Sequence, residues 1–250
     1  MSFCELRFFS NVLGMHASAN VLLPDSGKGP FHTLYLLHGL SDDHTIWLRR
    51  TRIEHYIRDK PIIVVMPQGF RGFYTNNSDG PRYADYLVDD VIAQTQRLFP
   101  ASTKREGRHI GGLSMGGYGA LRLALGFPGM FESAHSHSGA LLHPNRGVPR
   151  DSGLFGTHEY PQIFGKTSAI GTSHDLLHLA ATYPKEKAQP RISIDCGTQD
   201  FLLDDNRKAT SLFKKLKLKH TYKEFPGSHN WDYWDLHIQA AIDFHLKDAK

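Results

Sequence analysis

A chain of 250 residues is within the size of one α/β domain, so a single large core over residues 1–250 is the expectation. With 40% hydrophobic and 22% charged residues it is neither a disordered, nor a collagenous, nor a disulfide-scaffold protein. The net charge of +4 is mild, and the densest basic group, Lys214 to Lys219, reads as the solvated face of a helix end, so no nucleic-acid groove is expected.

The chain starts Met1-Ser2-Phe3-Cys4-Glu5-Leu6-Arg7, without the basic-then-apolar order of a signal peptide, and no apolar run approaches the roughly 20 residues that span a bilayer. Its two cysteines, Cys4 and Cys196, are far apart and form no CxxC, which suits free thiols in a reducing compartment. A cytoplasmic protein without membrane contact is expected. Cys4–Ser10 and Ala17–Leu23 read as an antiparallel pair at a sheet edge. Thr33–Leu37 and Ile62–Met66 are short, nearly continuous apolar runs, as strands covered on both faces require. Shorter runs follow at His109–Leu113, Phe131–His137, Ile192–Cys196 and Thr221–Phe225. Between them, Trp47–Arg58, Tyr83–Leu98, Met115–Leu125, Asp204–Leu216 and Tyr233–Leu246 carry apolar residues at helical spacing. This alternation predicts a mostly parallel sheet with an antiparallel N-terminal edge and helices on both faces. Ligands of such sheets bind beyond the carboxyl ends of the strands.

One strand run ends in Gly112-Leu113-Ser114-Met115-Gly116, a GxSxG directly between a predicted strand and a predicted helix. A serine on that sharp turn has a strained backbone, and glycines two residues either side remove a collision between side chains. The turn lifts the Ser114 hydroxyl past the strand end, which is the context an α/β-hydrolase nucleophile needs. Serine is a poor nucleophile by itself, so a histidine must take its proton and a carboxylate must orient that histidine, in the chain order Ser, Asp or Glu, His. Asp200 lies in the loop just past Arg191–Cys196, whereas Asp195 is within the strand and Asp204 and Asp205 fit the start of the next helix. His229 lies in the glycine-containing loop after Thr221–Phe225, at the correct end of the sheet; His220 is at the opposite end of that strand, and His237 and His245 are inside the last helix. The oxyanion needs preorganised N–H donors, each contributing roughly 3 kcal/mol. Met115 N–H is one candidate, and Leu40 N–H, after the strand end His38-Gly39, is the other, with Gly39 letting the backbone approach the substrate.

His38-Gly39-Leu40, Gly112–Ala120, Cys196–Asp200 with Phe201-Leu202, and His229-Asn230-Trp231 together resemble the esterase D family of α/β-hydrolases, which includes S-formylglutathione hydrolases. The match is nearest the bacterial tributyrin-esterase and acetyl-esterase branch, which Phe8-Phe9-Ser10, Asn20–Pro24, Trp47–Thr51 and Gly72–Thr75 also fit. The resemblance covers nearly the whole chain and implies hydrolysis of short-chain acyl esters, acetyl to butyryl, with no metal or organic cofactor. Leu40-Ser41-Asp42-Asp43-His44 stands where formylglutathione-specific enzymes usually carry a cysteine-containing segment, so formylglutathione hydrolysis is the second choice. An acyltransferase and a non-catalytic binding module that kept the fold are further alternatives, the latter disfavoured by the intact set of Ser114, Asp200, His229 and Gly39.

Trp47, Tyr74 and Trp231 fall near the same strand ends and are expected either to wall the acyl or alcohol pocket or to be core aromatics. Residues 141–183 make an unusually long crossover, containing Asp151-Ser152-Gly153, Pro161 and a short helix at Leu176–Ala181, which suggests a partial cap. His135 and His137 share one strand face but have no third ligand at metal spacing, and Asp42-Asp43 and Asp89-Asp90 read as helix-start and surface charges. The expected partner is a small-molecule ester or thioester; a homo-oligomer stays open.

Overall fold

The computed structural model describes residues 1–148 and 159–247. Eight strands form one sheet: β1 (Ser2–Ser10), β2 (Met15–Leu23), β3 (His32–Leu37), β4 (Ile62–Pro67), β5 (Arg108–Leu113), β6 (Ser133–His137), β7 (Arg191–Gly197) and β8 (Thr221–Phe225). Their order is β1-β2-β4-β3-β5-β6-β7-β8. β1 and β2 pair antiparallel, β2 meets β4 antiparallel, and every later pairing is parallel. This is the α/β-hydrolase fold, with the antiparallel edge where the sequence predicts it.

The apolar runs are continuous because each strand feeds two cores. Leu34 and Leu36 of β3, with Ile62, Val64 and Met66 of β4, face the core under α1 (Ile46–Arg50), α2 (Ile53–Ile57) and α9 (Trp231–Leu246). Tyr35, Leu37, Ile63 and Val65 face the opposite core, under α3 (Tyr83–Asp85), α4 (Ile92–Leu98), α5 (Met115–Gly126) and α8 (Leu203–Lys215). Alternation of period two thus persists inside runs that are apolar at every position. Three shorter elements, a 3-10 turn at His143–Arg146, α6 (Glu159–Phe164) and α7 (Leu176–Ala181), fill the long crossover after β6. Asp151-Ser152-Gly153 of the expected cap lies outside the described residues. Among those residues, no helix is long and apolar enough to cross a membrane.

Four sequence expectations need correction. The helix expected over Trp47–Arg58 is two, α1 and α2, broken at Thr51. The Thr51 hydroxyl bonds Trp47 O at 2.5 Å and accepts Ile53 N–H at 3.2 Å, offering the backbone a non-helical arrangement, while Asp235 of α9 takes Arg52 N–H at 2.8 Å. The helix expected over Tyr83–Leu98 contains a π-helical stretch, Tyr86–Val91, between α3 and α4. Asp90, within that stretch, is buried rather than a surface charge; it accepts the Ser10 hydroxyl at 2.5 Å and Val12 N–H at 3.0 Å, tying the β1–β2 turn to the helix. Finally, α9 begins at Trp231, two residues early, because the Asn230 side chain caps it by accepting Tyr233 N–H at 3.1 Å.

Candidate active site

The turn from β5 into α5 holds Ser114 at φ 53°, ψ −115°, a left-handed backbone that no ordinary serine adopts freely. The glycines around it are sterically required. A Cβ on Gly112 would sit 2.7 Å from the carbonyl carbon of Gly116 and from Leu37 O, and one on Gly116 would sit 2.6 Å from both His38 O and Leu37 O. Ser114 N–H donates to His137 O at 2.9 Å, and Ser114 O accepts Ala140 N–H at 3.1 Å, so β6 and the chain after it brace the strained turn.

Three side chains from three strand ends converge here. Ser114 Oγ is 3.0 Å from His229 Nε2. His229 Nδ1 is 2.9 Å from Asp200 Oδ2 and 3.1 Å from Oδ1. A carboxylate only accepts, so Nδ1 carries the ring proton and Nε2 is left to accept from the Ser114 hydroxyl. The Asp200 side chain has no exposed surface. Burial pushes its carboxyl up, but hydrogen bonds from His229, Leu202 N–H (2.8 Å) and the Ser138 hydroxyl outweigh burial and hold it below the usual carboxylate range. The imidazole of His229 lies between Phe201, ring centroids 4.4 Å apart, and the edge of Trp234, 4.9 Å apart.

The strand end opposite is rigidly held. His38 is buried; its Nε2 accepts Gly69 N–H at 2.8 Å, which leaves Nδ1–H to donate to Gly39 O at 2.7 Å. That carbonyl belongs to the same peptide plane as Leu40 N–H, so the imidazole fixes the direction of the N–H. Burial drives the His38 pKa down to about 4, keeping the ring neutral and the tautomer single. Met115 opens α5, so its N–H has no partner within the helix. Leu40 and Met115 both line a cleft of about 840 Å³ over Ser114 and His229, as do Gly39 and Trp231.

Trp47 and Tyr74 are absent from its walls. Each is 1% exposed, and the alternative reading of them as core aromatics is the one the structure supports. Tyr74 lies beneath the strand end, where its hydroxyl accepts His38 N–H at 3.0 Å and donates to His38 O at 3.1 Å. Trp47 donates Nε1–H to Leu37 O at 3.1 Å and packs edge-on against Trp231, ring centroids 5.2 Å apart. Both were drawn toward the right strand ends but inward, since the backbone groups of the strands there need partners more than the cleft needs walls. The cleft instead gains Asp42, Phe73, His143, Arg146 and Val148. Asp42 is therefore a cleft residue as well as a loop charge, whereas Asp43 takes Thr45 N–H at 2.8 Å, as a helix-start residue does.

Ser138 has no place in the sequence reading. It is buried, adopts φ 48°, accepts Trp234 Nε1–H at 3.3 Å, and its hydroxyl helps to hold the Asp200 carboxyl below its usual range. The signal that could have found it is the one used for Ser114 and Asp200: a polar residue immediately past the carboxyl end of a central strand. The rival acid Asp195 is committed elsewhere, to His137 Nδ1 at 2.7 Å and the Tyr233 hydroxyl at 2.8 Å. His135 faces His245, Nδ1 to Nε2 at 2.8 Å, and His245 Nδ1 reaches Ser133 Oγ at 2.7 Å, which reaches His109 Nδ1 at 2.7 Å. Of the paired histidines of β6, His135 is thus part of a buried hydrogen-bonded ladder and His137 is held by Asp195, and among the described residues no group of three His, Cys, Asp or Glu is arranged to hold a metal.

Residues 10–245 match the family model described as "Putative esterase". A curated relative, the acetyl esterase of Caldicellulosiruptor saccharolyticus, is 32% identical over 99% of both chains. Among solved structures, the substrate-bound fluorophosphonate-binding serine hydrolase F of Staphylococcus aureus superposes with a TM-score of 0.90 at 33% identity over 99% of both chains. The S-formylglutathione hydrolase of the same organism superposes with a TM-score of 0.85 at 32% identity over 98% of both chains.

Proposed function

The chain belongs to the esterase family and is a carboxylic ester hydrolase, and from that premise we propose that it cleaves short-chain acyl esters, acetyl to butyryl, through Ser114, His229 and Asp200. The observation that carries this reading is the continuous hydrogen-bonded line from Ser114 Oγ through His229 to a carboxylate with no exposed surface. His229 takes the Ser114 proton as the oxygen attacks the ester carbonyl, and the carbonyl oxygen becomes an oxyanion between Leu40 N–H and Met115 N–H. The imidazolium, stabilised by Asp200, then gives its proton to the departing alcohol. Water enters, His229 deprotonates it, and attack on the acyl-enzyme releases the acid and restores Ser114. Strain at Ser114 serves this sequence by holding the hydroxyl at the cleft floor before substrate arrives.

Gly39 admits the ester close to the oxyanion loop, and Trp231 forms a wall, with Phe73 and Val148 completing an apolar lining suited to a short acyl chain. His143 to Val148, the start of the long crossover, close one side of the cleft, in line with a partial cap over 141–183. Likeness to the acetyl esterase supports the ester reading; likeness to an S-formylglutathione hydrolase supports thioester cleavage as the second reading. Both use the same serine chemistry and differ in leaving group. Turnover of p-nitrophenyl acetate, butyrate and octanoate beside S-formylglutathione separates them. We expect kcat/KM to fall from butyrate to octanoate and to favour the oxygen esters; a dominant preference for formylglutathione reverses the assignment.

A further inference from the structure

β1 is an outer strand of the sheet, bonded only to β2, and its nine residues leave a full edge of backbone N–H and C=O groups open. Open edges of this length invite pairing with another chain. The side chains of one face, Phe3, Glu5, Arg7 and Phe9, are all exposed, with Phe3 47% and Phe9 50% accessible. The opposite face, Cys4, Leu6 and Phe8, packs into the core. Glu5 and Arg7 have no ion-pair partner among the described residues.

The sequence of this edge is self-complementary. In an antiparallel pairing of two copies centred on Leu6, Glu5 faces Arg7 of the partner subunit and Phe3 faces Phe9 of the partner subunit, each pair occurring twice. Facing residues in this register have the same parity along the strand, so both turn their amide groups to the same side of it, as ladder bonds require. Opposite charges and paired aromatics directly across an antiparallel ladder are each favourable. The other outer strand shows the contrast: two copies of β8 centred on Lys223 would set one lysine against another, and like charges in that position repel.

We propose that the exposed edge of β1 is a homodimer interface, at which two copies of this chain join their sheets antiparallel about Leu6, with Glu5 against Arg7 of the partner subunit. The charges that would guard a simple edge against pairing are, by their symmetry about Leu6, the charges that license pairing with a second copy and with few other strands. Three strands separate the interface from β5 and its serine, so its loss leaves the chemistry intact.

Sedimentation velocity on the full chain tests this, with p-nitrophenyl acetate turnover per protomer as the check that each variant is folded. The wild type is expected to sediment at twice the 28.2 kDa chain mass at high concentration. Glu5→Arg and Arg7→Glu, each of which sets like charges face to face twice, should weaken association by about tenfold or more. The double exchange Glu5→Arg with Arg7→Glu restores opposite charges in the same register and should restore the dimer. A wild type that stays monomeric at every concentration, a dimer indifferent to the single exchanges, or a double exchange as weak as the singles would overturn the proposal.

Discussion

Tyr74 and Ser138 act on the site without being the groups that react, and they mark where reading residues one at a time reaches its limit. Tyr74 sits at a strand end, as expected of a pocket wall, yet its hydroxyl spends both its donor and its acceptor on the His38 backbone. The Tyr74→Phe variant leaves a buried N–H and C=O without that partner, a loss of about 1–3 kcal/mol. We expect thermal stability to drop and kcat/KM to fall by a similar factor for acetate, butyrate and octanoate esters. A variant that changed only the chain-length preference would return Tyr74 to the pocket wall. Ser138→Ala removes the hydroxyl that helps to hold the Asp200 carboxyl below its usual range and should lower kcat about tenfold with little change in KM. Equal losses through KM would assign Ser138 to substrate binding instead. The convergence of Ser114, Asp200 and His229 was legible in the sequence because each ends a strand run at one edge of the sheet. Ser138 satisfies the same rule but lacks a motif around it, and Tyr74 stayed open between pocket wall and core because sequence gives position along the chain and not the direction of a side chain.

The turn between β5 and α5 is the element on which the site depends. Its glycines are read from the motif, and the distances give the reason: a methyl at Gly116 meets two carbonyl oxygens of the neighbouring strand end at 2.6 Å. Backbone atoms cannot step aside as a flexible side chain can. Gly116→Ala should therefore cost about 3 kcal/mol or more, read as a lowered urea midpoint, and should reduce turnover of whatever fraction folds. A variant as stable and active as wild type would show that the turn has slack the distances deny. Other elements were legible only in part. The period of α1, α2 and of the Tyr83–Leu98 stretch announces helix, but their interruptions come from contacts distant in sequence: Asp235 of α9 at Arg52, and Ser10 of β1 at Asp90. Helical periodicity carries no trace of such partners.

Across the whole molecule, the two-core sheet was legible from the apolar runs, but the ladder of buried imidazoles threading it was not, because His109, His135 and His245 lie far apart in the chain. Burial pushes His109 down to about 3 and keeps His135 and His245 well below the usual imidazole value of 6.5. In the unfolded chain all three regain that value, so below pH 6.5 the unfolded state binds protons that the native state refuses. This contribution to stability is complete above about pH 6.5 and is lost as pH falls from there toward about 3. With three groups the slope reaches about 4 kcal/mol per pH unit. Urea midpoints measured from pH 7 to pH 4 should fall steeply; a flat profile between pH 6 and pH 5 would mean that the rings are hydrated or already charged. The central claim, however, concerns one oxygen atom. Its most direct test is the turnover of p-nitrophenyl acetate by Ser114→Ala, with circular dichroism to verify the fold. Loss of nearly all turnover in a folded variant is what the account predicts; a folded Ser114→Ala that still cleaves the ester near the wild-type rate would contradict it.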